Sequence, residues 1–143
     1  MDPTRILPDL QCSVLCEEIR QEANGNFILI GVINHIIVPK LPVTALKLCV
    51  FNRWVAGIGQ FSECVRLIAP DGATMMRESR LKFQLQSPVH SATNASVFGQ
   101  VEFQQAGVYQ IEVTVDDVLK LRYPLPLVEV PPQKAANEPG PES

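Results

Sequence analysis

Between residues 109 and 127 apolar and polar side chains alternate almost without a break. Tyr109, Ile111, Val113 and Val115 interleave with Gln110, Glu112, Thr114 and Asp116; Leu119, Leu121, Tyr123, Leu125 and Leu127 interleave with Lys120, Arg122, Pro124 and Pro126. A period of two marks a strand with one buried face, whereas a helix buries a stripe of period roughly 3.6. Directly opposed residues of an antiparallel pair share a face, so the two apolar sets meet only across an odd-numbered loop. Asp116-Asp117-Val118 as that loop sets Val115 opposite Leu119, Val113 opposite Leu121 and Ile111 opposite Tyr123. On the other face Glu112 then meets Arg122, an opposite-charge pair. Pro124 and Pro126 lack donors and predict an edge strand.

The same logic extends along the chain. Pro70-Asp71-Gly72 predicts a three-residue hairpin loop with Gly72 left-handed, pairing Phe61 with Leu81 and Gly59 with Phe83. Phe61, Val65 and Leu67 form one apolar set, and Leu81, Phe83 and Leu85 the other. Outward, Ser62 meets Arg80 and Gln60 meets Lys82. Asn24-Gly25 signals a type I′ turn between Leu10–Ile19 and Phe27–Val38, which sets Val14 opposite His35. A helix competes over residues 10–23, because Glu17 to Ala23 ahead of Gly25 resembles a helix end with its glycine cap; the alternation of Cys12, Val14 and Cys16 favours a strand. Leu46–Val55, carrying Trp54, and Thr93–Phe103, with Val97, Val101 and Phe103 on one face, complete about eight strands. Ala106-Gly107-Val108-Tyr109 is similar to the tyrosine corner of immunoglobulin-like sandwiches, with Trp54 as the core tryptophan. The expected fold is all-β: an antiparallel two-sheet sandwich, immunoglobulin-like or C2-like, over residues 1–130. Residues 131–143 hold four prolines and no large apolar side chain, the composition of a disordered tail.

Function classes are narrowed mainly by exclusion. A net charge of -3 argues against a nucleic-acid binder. No secretory leader is visible, and the most apolar run is too short to span a membrane as a helix, so a cytoplasmic protein is expected. The even count of Cys12, Cys16, Cys49 and Cys64 allows two disulfides, but without an export signal buried free thiols are the expectation, and the spacing fits no zinc site. Phosphate-loop, nucleophile-elbow and zinc-protease motifs are absent. Gly57-Ile58-Gly59 reads as a turn. His35 is expected as a hydrogen-bonded core or interface residue and His90 as a solvated loop residue, leaving a Cys–His catalytic pair without an orienting group. Asp71, Asp116 and Asp117 fall in turns and form no calcium-type cluster. Arg66, Arg80 and Lys82 share an outward face with Glu78 interspersed, with Arg53 nearby. Asn94-Ala95-Ser96 matches a glycosylation acceptor by chance. No catalytic, cofactor-binding or metal residue is assigned, and no enzyme is expected.

Phe27–Val38 departs from the pattern, being apolar on both faces where an antiparallel sandwich keeps one face wet. Its second face is covered either by the neighbouring Val38-Pro39-Lys40-Leu41-Pro42 or by a partner chain, including a second copy. Finally, Cys16-Glu17-Glu18-Ile19-Arg20-Gln21-Glu22, Asn24-Gly25-Asn26, Leu29-Ile30-Gly31-Val32, Pro39-x-x-Pro42, Arg53-Trp54 and Pro70-Asp71-Gly72 together resemble a family of short bacterial proteins known as a domain of unknown function. The resemblance implies a small β-sandwich of bacterial, cytosolic origin and transfers no activity or functional residue. The expected role is an interaction or scaffold module acting through a sheet face or apolar strand. The alternative is a small-ligand or carbohydrate binder with Trp54 or Phe98 as a stacking platform.

Overall fold

The computed structural model describes residues 5–132; from Gln133 onward the predicted tail lies outside the described residues. Among the described residues there are nine strands: β1 (Asp9–Gln21), β2 (Phe27–Val32), β3 (Ile36–Val38), β4 (Val43–Val55), β5 (Gly59–Ile68), β6 (Met75–Leu85), β7 (Ser91–Phe103), β8 (Gly107–Val115) and β9 (Val118–Glu129). They form a four-stranded sheet of order β2-β1-β4-β7 and a five-stranded sheet of order β3-β9-β8-β5-β6. The chain is thus all-β, as expected, and residues 9–21 are strand rather than helix.

The extra strand comes from Phe27–Val38, which is two strands and not one. β2 stays on β1, Ile33 to His35 carry the chain across the sandwich, and β3 pairs in parallel with β9, Ile36 opposite Leu127. Apolar character on both faces therefore reflects a change of sheet. His35 is exposed in the crossing, and Val14 pairs with Phe51 of β4 rather than with His35. The β1–β2 turn also differs from a type I′ hairpin. Glu22 and Asn26 close a three-residue loop in which Gly25 alone takes the left-handed conformation, at φ +94°.

The β8–β9 pairs Ile111–Tyr123, Glu112–Arg122 and Val113–Leu121 stand as derived. Nearer the turn the pairing shifts to Thr114–Leu119 and Val115–Val118. Asp116 and Asp117 both adopt positive φ, so the loop has two residues, and an extra residue at Lys120 restores the odd register as a β-bulge. Asp116 tolerates this position because its carboxylate accepts the Ser62 backbone N–H at 2.9 Å. The prolines act as expected only locally. β9 lies between β3 and β8 rather than at the sheet edge, but along Pro124 and Pro126 it pairs with β8 alone, and β3 joins its other side only from Leu127 onward.

In the β5–β6 hairpin the register is two residues from the expected one: Phe61 meets Phe83, Gly59 meets Leu85 and Ser62 meets Lys82. One residue of that shift is the longer loop, closed by Ala69 N–H to Thr74 O and held by Asp71, which accepts from Ala73 and Thr74. The other is a bulge between Leu67 and Ile68. Two shifts of one preserve the faces, so the apolar sets still meet.

The core lies between the sheets around Trp54, Phe103, Tyr109, Leu67 and Ile111. The Tyr109 hydroxyl donates to the Gln105 carbonyl at 2.7 Å, the contact expected of a tyrosine corner. Val97 does not share a face with Val101 and Phe103. It is 57% exposed while both of those and Phe98 are buried. Gln100 takes a positive φ, and neither it nor Leu46 on β4 has a ladder partner, so both strands exchange inside for outside at that level.

Candidate functional site

Two features stand out, one inside the sandwich and one on its surface. Inside, β5 alternates Phe61, Glu63, Val65 and Leu67 towards the core, which buries a carboxylate at 1% exposure. Three neutral donors from the opposite sheet meet it. Asn52 and Trp54 of β4 donate to Oε2, Trp54 at 3.2 Å, and Asn94 of β7 donates to Oε1 at 2.9 Å. Among the described residues Glu63 has no ion-pair partner. Hydrogen bonds alone hold the carboxyl group, and in doing so they join the sheets at one level. The side-chain oxygen of Asn52 is left without a partner. Asn94 points inward to this cluster, so its acceptor-like sequence motif is occupied structurally.

On the surface, β1 pairs with β4 from Asp9 to Cys16 and with β2 from Cys16 to Gln21. In a straight strand Gln21 would lie seven residues, roughly 23 Å, beyond Val14, which is opposite Phe51. Yet Phe27, paired with Gln21, has its ring 5.6 Å from Phe51 in an edge-on contact. Gly25, Asn26 and Phe27 also share a cleft with Phe51, Arg53 and Thr93. β1 therefore doubles back at Cys16 and lays the hairpin tip over the outer face of its own sheet. The Glu18–Lys47 ion pair, 3.6 Å, ties the segment just after Cys16 to β4.

This fold-back explains two buried thiols on an outward face. Cys16 and Cys49 are directly opposed and 0% and 1% exposed. Cys16 donates to the Glu18 carbonyl at 3.5 Å and Cys49 to that of Glu17 at 3.6 Å. Burial pushes both thiols up from the usual range, and for Cys16 the neighbouring Cys49 adds to it. The hairpin nevertheless leaves Phe27, Ile28, Ile30 and Val32 of β2 between 38% and 57% exposed. The segment Val38 to Pro42 leaves them uncovered. Beside the bend, Ile33, His35, Ile36 and Ile37 face Leu46 across a groove of about 640 Å³.

The remaining candidates disperse. Arg66, Arg80 and Lys82 do share the outer face of β5 and β6, with Glu78 bound to Arg66 at 2.8 Å and Arg80 at 3.3 Å. The Arg66 hydrogen bond holds the Glu78 carboxyl below its ordinary value. Arg53 is on the other sheet. Cys64 is buried beneath this face and pushed up by burial. Trp54 and Phe98 are buried, so neither offers a stacking platform. No motif marks Glu63 or Asn52 in the sequence, and Asn94 is marked only by the chance glycosylation match; the signal for Glu63 is the gap it makes in an otherwise apolar alternation. Among the described residues no helix is long and apolar enough to cross a membrane.

Comparison with curated proteins found no match to the sequence. A family model matches residues 11–128, from the start of β1 through nearly all of β9. The chain therefore belongs to a family of unknown function, DUF6941.

Proposed function

We propose that the protein is a non-enzymatic interaction module and that β2 is its contact strand, to which an extended strand of a second polypeptide adds. The observation that carries this is an open, six-residue sheet edge with no charge and four half-exposed apolar side chains. Of the other three edges, β6 is charged, β3 is short and β7 is occupied at one carbonyl. β6 carries Arg77, Glu78, Arg80 and Lys82, the Gly99 carbonyl of β7 is taken by Arg77 at 2.8 Å, and β3 has three residues. Bare edges recruit strands, which is why sheets blunt them with charge, shortness or cover. Strand addition draws affinity from main-chain hydrogen bonds and specificity from alternate side chains.

The occupant is a second copy of the chain. An antiparallel β2–β2 pair about a two-fold axis sets apolar against apolar with no like charges opposed. Light scattering of the full chain across a dilution series tests this, beside Ile30→Lys, which places a charge on the edge. A concentration-dependent dimer whose dissociation constant rises about tenfold or more in the variant supports the reading, an effect of ~1.4 kcal/mol. A monomer at every concentration, or a dimer indifferent to Ile30→Lys, overturns it.

A further inference from the structure

Cys16 and Cys49 stand as Cα partners in the β1–β4 ladder, so both side chains leave the sheet on the same face. Directly opposed residues of an antiparallel pair have Cα atoms about 4.5–5.5 Å apart. A disulfide requires ~4.4–6.8 Å. Both sulfurs also reach adjacent carbonyls, those of Glu17 and Glu18, at the bend where β1 doubles back. Cys12 and Cys64 have no such partner: Cys12 is opposite Arg53, and Cys64 belongs to the other sheet, opposite Arg80.

We propose that Cys16 and Cys49 are a dithiol site that closes a reversible cross-strand disulfide beneath the folded-back hairpin, with hydrogen peroxide as oxidant. One thiol loses its proton and its sulfur attacks a peroxide oxygen. The O–O bond breaks, giving a sulfenic acid, and the departing hydroxide takes the proton as water. The second sulfur attacks the first, the S–O bond breaks, the S–S bond forms and a second water leaves. Two thiols are oxidised and one peroxide is reduced. Because the hairpin buries both sulfurs, the reaction proceeds through its opening. The product no longer donates to the Glu17 and Glu18 carbonyls, so oxidation loosens the bend that sets β2 in place.

The test is peroxide treatment of the folded full chain, followed by alkylation of remaining thiols under denaturing conditions and peptide mapping. Two of the four thiols are expected to disappear, in one link joining Cys16 to Cys49 that a reductant reverses. The double variant Cys12→Ser/Cys64→Ser is expected to form the same link, and Cys49→Ser to form no internal link at Cys16. Four surviving thiols in the folded chain, when the urea-unfolded chain oxidises under the same treatment, overturn the proposal. So does a link that uses Cys12 or Cys64. The wild-type map decides even where a variant fails to fold.

Discussion

Glu63→Ala removes one side chain and orphans three donors. Asn52 Nδ2, Trp54 Nε1 and Asn94 Nδ2 all end on that carboxylate, and Asn52 and Trp54 are fully buried. A buried donor without an acceptor costs about 1–3 kcal/mol. Asn94 is half-exposed and can turn to water, so the cost concentrates on the other two, and losses within one network do not simply add. The expected destabilisation is ~4 kcal/mol, a large part of the 5–15 kcal/mol typical of a domain. With a urea slope of about 1–3 kcal/mol/M, the unfolding midpoint falls by ~2 M.

Glu63→Gln separates the loss of acceptors from the loss of shape. Its amide keeps an oxygen towards Asn52 and Trp54 and turns its NH2 to Asn94, whose amide can rotate to offer Oδ1. That variant should cost only ~1 kcal/mol. Glu63→Leu, which fills the volume and accepts nothing, should behave like Ala. Chemical denaturation of the three variants, followed by Trp54 fluorescence, provides the comparison. An alanine variant within about 1 kcal/mol of wild type refutes the argument, and so does a glutamine variant as damaged as alanine.

The exchange of faces at Leu46 and Gln100 makes Val97→Lys nearly neutral, within about 0.5 kcal/mol, and Val101→Lys severe enough to unfold the chain; thermal denaturation of the pair checks it, and equal damage would restore plain alternation. The pH dependence follows from groups whose folded values are shifted. Cys16, Cys49 and Cys64, from 9.0, and Tyr109 and Tyr123, from 10.0, are all raised by burial. A raised folded value contributes stability that is complete below the unfolded value and lost as pH rises through the folded one. Stability should therefore decline above about pH 9 and more steeply above 10. On the acid side Glu18, Asp71 and Glu78 are lowered, so their small, solvent-screened contributions are lost as pH falls below their ordinary values. Urea titrations across the pH range measure both limbs, and a chain that gains stability above pH 10 contradicts the assignment.

What was legible in this chain was whatever depends on the parity of side chains. The late hairpin and the sharing of faces in β5 and β6 follow from period two and the geometry of antiparallel pairs. Register was legible only modulo two. In the β5–β6 hairpin a longer loop and a bulge each move the ladder by one, and the sum leaves every side chain on its expected face. A bulge costs one unpaired residue and no burial, so hydrophobic patterning is blind to it.

Where parity itself changes, the pattern misleads. Val97 continues the alternation of Val101 and Phe103, yet the positive φ at Gln100 turns it outward. Phe27–Val38 looks like one strand with two apolar faces because two strands from different sheets are joined there by only three residues. The same blindness hides the candidate site. No motif in the sequence reports that β1 bends at Cys16, where alternation gives way to the largely polar Glu17-Glu18-Ile19-Arg20-Gln21; the Phe27–Phe51 contact and the cleft beside it reveal the bend. Burial of Cys16 and Cys49 on the outward face is thus a consequence of tertiary fold-back. The same hairpin carries β2, which pairs with β1 alone and so keeps its other edge open. The apolar strand and the opposed thiols therefore belong to one device: the hairpin that hides the sulfurs is the hairpin that carries the edge.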